Sequence, residues 1–312
     1  MSGENDLLRL VSAELSVPVV SEAVRFADKL AGEARRPPVA ILFYGSSLRT
    51  GDLDGLLDFY VLVDRLTDWT HGRWAAGANR LLPPNVEYHE ATLDGRVLRA
   101  KVAILSLNQF RRLARPQSLD NSVWARFSQP VACVYARDEA AREAAVGAVA
   151  GAVRAAVVWS VRLGAREGTP ADYWRGLFRR TYASELRVEA EARPDDIVSR
   201  APERYERMFL AAAKAEGLAW ENAGEGRIRL VDDAPRGAQA AWARRRRLGK
   251  PLNFVRLLKA AFTFRNGADY LVWKIQRHTG IAIPLTERQR RFPLLASVPI
   301  IRRLWQRKRA SG

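Results

Sequence analysis

The sequence predicts an α/β N-terminal domain, then a mainly helical domain, then basic C-terminal helices. Three observations carry this reading. Short apolar strands alternate with helical spacing up to about residue 137, the apolar period is helical from Asp138 to about Gly217, and the chain's excess positive charge is confined to its last quarter. The expected boundaries are 1–137, 138–235 and 236–312.

Each element has its own signal. Leu7, Leu8, Val11 and Leu15, then Val24, Phe26 and Leu30, recur at helical spacing, broken near Pro18. "PVAILFYG" reads as a buried strand ending in glycine, and "LLDFYVLV" as a second. Between "NVEYHEATL" and "RVLRAKVAILS" the pair Asp94-Gly95 is a favoured two-residue hairpin turn. "LNQFRRL" begins a helix and "QPVACVYA" is a short strand. In the second part, breaks fall at "EGTPADY" and "ARPDD", and "GEGRIRLVDD" offers a short strand or hairpin after helices, the order of a winged-helix arrangement. Residues 252 to 277 fit a helix interrupted at Asn266-Gly267, and residues 293 to 309 a shorter one, apolar first and basic after.

Composition narrows the function. With 312 residues, 48% of them apolar, and nine tryptophans, the chain can fill two cores. A lone Cys133 among apolar neighbours excludes a disulfide framework within the chain and reads as a small core residue. The start, "MSGENDLLRL", carries acidic residues where a signal peptide needs a basic flank, so a cytoplasmic protein is expected. The stretch from Ala144 to Val161 is mostly Ala, Gly and Val with Arg154 in its middle, and reads as a buried helix rather than a membrane span. Residues 234 to 312 hold 19 Lys and Arg against only Asp269 and Glu287, which accounts for the whole net charge of +17. A neutral body with a basic end points to an anionic partner, nucleic acid or an acidic membrane, met by one surface.

One stretch carries chemistry. "FYGSSLRTGDLDGLLDFYVLV" is a strand, a Gly-Ser turn into a helix, and a return strand bearing a carboxylate, with eleven residues from Ser47 to Leu57. That is the nucleotidyltransferase pattern. Gly45 lets the backbone approach a triphosphate, Ser46 donates to its oxygens, and Asp58 holds a Mg²⁺ that bridges phosphates and offsets the charge on leaving pyrophosphate. Tyr60 stands where a second acid is usual, and Asp52 or Asp54, otherwise turn residues, are the nearby substitutes. On these residues alone an ordinary Gly-Ser loop is an equal reading. His71, His89 and His278 have no metal spacing, and neither a dinucleotide glycine loop nor a GxxxxGK[ST] is present.

Taken in order, the motifs resemble those of the mitochondrial-type CDP-diacylglycerol synthases, the peripheral phosphatidate cytidylyltransferases also known as translocator-maintenance proteins. "FYGSSL" resembles the family's Tyr-Gly-Ser-Gly loop, "LLDFYVLVDRLTDW" its Asp-bearing strand, and "DGRVLRAKVAILSL" a hairpin whose second strand carries a lysine, here Lys101. "ARFSQPV" supplies Arg126 and Pro130, "RTYASELRVE" supplies Tyr182, Glu185 and Arg187, and "LLKAAFTF" supplies Lys259. The departures are Ser47 for the loop's second glycine, Glu185 for an aspartate, and His89 for an asparagine.

The resemblance implies a polymerase-β-type fold and the reaction of CTP with phosphatidic acid to give CDP-diacylglycerol and pyrophosphate, with Mg²⁺. It implies Tyr44, Gly45, Ser46, Ser47, Arg126 and Tyr182 around the nucleotide, and Asp58 on the metal. Lys101 and Arg187 would neutralise phosphate charge, Glu185 would be a second metal-directed or positioning acid, and Lys259 would bind phosphate.

Two rivals remain open. One is a nucleotidyltransferase acting on RNA, the other a non-catalytic binding relative. "PLLASVPIIRRLWQRKR", with Trp305 beside Arg302 and Arg303, suits an amphipathic anchor on an acidic bilayer. No series of aromatics spaced for base stacking accompanies the charge, so no nucleic acid is expected and the protein is placed peripherally on the inner face of the membrane.

Overall fold

The computed structural model describes residues 3–69, 73–184, 193–232, 237–263 and 266–269, together with positions 272, 273, 276 and 286. The chain opens with helices α1 (Gly3–Leu15) and α2 (Ser21–Glu33), then strand β1 (Ala40–Tyr44), the short helix α3 (Ser46–Thr50) and β2 (Leu56–Val63). Helix α4 (Arg73–Leu81) leads to β3 (Asn85–Leu93), β4 (Arg96–Ser106), α5 (Leu107–Leu113), α6 (Ser122–Phe127) and β5 (Val131–Ala136). The remainder is α7 (Glu139–Leu163), β6 (Glu167–Gly168), α8 (Pro170–Ser184), α9 (Arg193–Ser199), α10 (Pro202–Ala215), β7 (Trp220–Asn222), β8 (Ile228–Leu230) and α11 (Ala238–Thr263).

The fold is mixed α/β. Five strands form one sheet in the order β3-β4-β2-β1-β5, in which only β2 and β4 run parallel. A parallel pair needs a crossover, and α4 with β3 supplies it. The hairpin between β3 and β4 turns at Asp94 and Gly95, whose φ values of 50° and 77° are the left-handed pair that this tight turn requires. A second, antiparallel sheet of three strands, β6-β8-β7, lies among the later helices.

Both faces of the large sheet are covered, which is why "LLDFYVLV" is apolar almost without alternation. Ile41, Phe43, Phe59, Val61, Val102 and Ile104 pack toward Phe26 and Leu30 of α2. Leu42, Tyr60, Leu62, Ala103 and Leu105 belong to the opposite layer, with Leu7, Val11, Phe110, Trp124 and Phe127. That second layer continues without a break through α7 into the aromatic group of Trp174, Phe178, Tyr205 and Phe209. Truncating a ring such as Trp174 to alanine removes roughly 3–5 kcal/mol of packing.

Helix α1 sits on α7 and α10, where Arg204 of α10 forms a bidentate pair with Glu14. Helix α7 is long and apolar enough by composition to cross a membrane, and 72% of its apolar window is buried within the protein. Its buried face is lined largely by Ala and Val, among them Ala145, Ala148, Val149, Ala152 and Val153.

The sequence predicts a helix from residue 252, whereas α11 begins at Ala238 and passes through Pro251. Arg245 explains the earlier start. Buried, it donates to the carbonyls of Pro116 and Ser118 and lies 4.0 Å from the ring centroid of Trp159. Burial lowers its pKa to about 10. Arg256 ties the other end, pairing with the largely buried side chain of Asp120 and donating to the Pro83 carbonyl. Beyond α11, Asn266 takes up φ 58° and its amide donates to the Tyr88 carbonyl on the outer edge of β3. The expected anchor at 293 to 309 lies outside the described residues.

Candidate functional site

Register across the sheet builds the site. Tyr88, Lys101, Asp58, Tyr44 and Val131 are successive Cα partners on β3, β4, β2, β1 and β5, so one transverse row carries three of the expected site residues, Tyr44, Asp58 and Lys101. Paired residues on neighbouring strands point to the same face. The row therefore faces the helical layer at the end where the apolar covering stops, and a cleft of about 320 Å³ opens there.

Its walls include Tyr44, Gly45, Ser46, Asp58, Lys101, Arg126, Pro130 and Tyr182, together with Arg49 and Gln129. Residues from β1, β2, β4, α6 and α8, up to 138 positions apart between Tyr44 and Tyr182, thus meet in one place. The cleft is cationic. Asp58 is its single carboxylate among the described residues, against Arg49, Lys101 and Arg126.

Gly45 has φ 95°, a left-handed conformation open to glycine. A Cβ there would stand 2.7 Å from Asp58 Oδ2, so the turn brings bare backbone against the carboxylate. Ser46 begins α3 and faces the cleft, and Arg49, one turn later, shares that side. Ser47 turns away. It is buried, and its hydroxyl donates to the Leu56 carbonyl at 3.1 Å, fastening α3 to the start of β2. Asp52 and Asp54 form a local turn, the Asp54 amide donating to Asp52 Oδ1, and Arg96 pairs with Asp54.

Tyr60, at the position of the missing second acid, has a different task. It is buried edge-on to Phe127, and its phenol oxygen accepts from Arg126 at 3.1 Å. The Arg126 guanidinium also lies 5.5 Å from the ring centroid of Tyr44 and 5.9 Å from that of Tyr60. Two aromatic faces and a hydroxyl thus hold one planar cation at the cleft wall. Beside it, Arg204 donates to the Ser128 carbonyl, and Gln129 to that of Ala125, bracing the 125–130 segment.

Lys259 lies elsewhere. Its ammonium donates to the carbonyls of Leu82 and Pro84, each at 2.6 Å, and to Asn85 Oδ1 at 3.0 Å, at the head of β3. Burial, with the neighbouring Arg256 charge, lowers its pKa to about 8. Glu185, Arg187, Arg302 and Arg303 lie outside the described residues, as do His71 and His278. His89 is buried on the sheet's other face, its Nε2 2.9 Å from Glu87 Oε2.

Among the described residues no group of three or more His, Cys, Asp or Glu side chains is placed to hold a metal. A single protein carboxylate still fits Mg²⁺, which binds through one or two carboxylates plus substrate phosphates and water. Asp58 lines the cleft, and the absent side chain of Gly45 leaves room for its Oδ2 there.

Arg49, Gln129 and the tie from Tyr60 to Arg126 escape the motif reading. Arg49 had a signal, standing one helical turn after Ser46. Tyr60 and Arg126 are 66 positions apart, and nothing in one-dimensional spacing joins them.

No family model matches the chain, and no curated protein matches it.

Proposed function

We propose that the chain is a nucleotidyltransferase of the polymerase-β type, and specifically a phosphatidate cytidylyltransferase that makes CDP-diacylglycerol and pyrophosphate from CTP and phosphatidic acid. The observation that supports it is the meeting of Gly45, Ser46, Asp58, Lys101, Arg126 and Tyr182, named from separate motifs, in one cationic cleft. The small sheet among α8 to α10 is compatible with a winged-helix second domain.

In this reading Gly45 and Ser46 admit the triphosphate, and Asp58 is the residue that holds Mg²⁺, which when bound offsets the charge of the phosphates. Lys101, Arg49 and Arg126 surround the same anion. A phosphatidate oxygen forms the new bond to the α-phosphorus of CTP as the bond to the β-phosphate oxygen breaks, and pyrophosphate carries the electron pair away. The acceptor oxygen is already anionic, so the residues act by positioning and charge neutralisation rather than by taking a proton. Tyr44 and Tyr182 supply aromatic surface for the nucleotide. The enzyme works as a peripheral protein on the inner face of the membrane.

The test is purified protein with each labelled nucleoside triphosphate, Mg²⁺, and either phosphatidate or RNA. Lipid-linked cytidylate and pyrophosphate are expected. Nucleotide transfer to RNA, or no transfer at all, would overturn the reading.

A further inference from the structure

We infer that α4, α5 and α11 together form a face that docks on an acidic phospholipid bilayer. Helix α4 packs on α11 and is tied to α5. Gln109 of α5 donates to the Asn79 carbonyl of α4, Arg245 of α11 reaches the Pro116 and Ser118 carbonyls just past α5, and Arg256 and Lys259 hold the turn that follows α4.

Two observations meet on these helices. The first is exposed apolar surface. Trp74 is 93% exposed and Leu81 87% on α4, while Phe254 is 65% exposed on α11, with Leu248 and Val255 exposed beside it. Large side chains left this open are poor candidates for a surface facing only water. The second is charge without compensation. No Asp or Glu occurs in α4, α5 or α11. Arg111, Arg112, Arg115, Arg244, Arg246 and Arg247 are exposed, and none of the six is in an ion pair among the described residues.

Helical phase separates the two sides of α11. Arg245, Arg256 and Lys259 point inward, Arg247 and Phe254 fall on the opposite side, and the exposed Arg244 and Arg246 flank Arg245 at about 100° to either side. A tryptophan, exposed aliphatic and aromatic side chains, and uncompensated arginines together suit the boundary between headgroups and acyl chains. Nucleic acid would use the arginines and leave Leu81, Phe254 and Val255 without a role.

The position also suits a lipid acceptor. From α11 the chain passes to Asn266, bonded to Tyr88, and Tyr88 is the outer member of the row that contains Lys101 and Asp58. The inference deepens the proposed lipid function and rests on it for its purpose, but vesicle binding is measured without CTP, so either can fail alone.

The experiment uses the full chain with sedimenting vesicles of phosphatidylcholine, alone or mixed with phosphatidylglycerol, and a single-stranded RNA oligonucleotide as competitor. The wild-type protein should prefer the acidic vesicles and leave them as salt is raised. Each basic side chain near an acidic surface contributes about 1 kcal/mol, so Arg244→Gln, Arg246→Gln and Arg247→Gln combined should weaken binding by about tenfold or more, allowing for incomplete contact. Trp74→Ser with Leu81→Ser should weaken it similarly while the melting curve stays unchanged, and Phe254→Ser serves if that pair fails to fold. Unchanged vesicle binding by these variants, equal binding to neutral and acidic vesicles, or release from acidic vesicles by RNA at low occupancy would overturn the inference.

Discussion

The missing side chain of Gly45 and the carboxylate of Asp58 compete for the same space. A methyl group on Gly45 would lie 2.7 Å from Asp58 Oδ2, and φ at Gly45 is 95°. Gly45→Ala therefore strains the turn and displaces the carboxylate together. The expected stability loss is about 1–3 kcal/mol, read from urea unfolding. Turnover should fall by about a hundredfold, since a misplacement of about 1 Å costs that much in a positioned site. A variant with wild-type turnover would separate the turn from the chemistry.

Asp58→Asn tests the carboxylate itself. The substitution keeps the shape and removes the charge on which the proposed Mg²⁺ site depends, so Mg²⁺-dependent cytidylate transfer should be abolished while the melting temperature shifts little. The companion measurement is Mg²⁺ titration of nucleotide binding, which should lose its metal dependence. Near-normal turnover in this variant would rule Asp58 out as the metal ligand.

Tyr60→Phe probes how Arg126 is held. The ring against Phe127 survives and only the acceptor of the Arg126 hydrogen bond is lost. A hydrogen bond to a charged donor contributes about 1.5–3 kcal/mol, so nucleotide affinity should drop by roughly tenfold or more with the fold intact. Arg126→Lys should do at least as much harm, because an ammonium keeps the charge but neither the planar fork nor the stacking on Tyr44. Unaltered nucleotide binding in both variants would assign Arg126 to structure.

What the sequence made legible depends on how local the cause was. The bounds of β2 could be read because both sheet faces are buried and the apolar run ends where covering ends. The β3–β4 hairpin could be read because Asp94 and Gly95 alone determine the turn. Ser46 and Ser47 are chemically alike, yet one helical step sends the first to the cleft and the second to the Leu56 carbonyl. The start of α11 was hidden for a related reason. "RRRR" reads as four solvated charges, and only the three-dimensional neighbours, Pro116, Ser118 and Trp159, select Arg245 for burial. Tyr60 was visible as an anomaly in the motif, but its partner Arg126 came from another segment and a different layer.

The pairing of Arg256 with Asp120 makes the attachment of α11 sensitive to acid. Both side chains are largely buried, and the Ser122 amide also donates to Asp120 at 2.9 Å. Burial opposes the charge on Asp120, but Arg256 and the Ser122 bond outweigh it and hold its pKa below the ordinary carboxylate range. A carboxylate whose folded pKa is depressed contributes stability that is present above its unfolded pKa and is lost as pH falls through the folded value. Arg256→Met removes the compensation and leaves a buried, unpaired carboxylate, so the loss at neutral pH should be about 3–5 kcal/mol. In that variant burial dominates and Asp120 titrates above its unfolded value, which reverses the sign. Relative to wild type the variant should recover as pH falls from 7 toward 4. Adding Asp120→Asn to Arg256→Met should restore much of the lost stability at pH 7 by removing the stranded charge. Urea unfolding across this range decides the matter. A loss independent of pH, with no rescue by Asp120→Asn, would show that Arg256 acts through packing and its bond to the Pro83 carbonyl.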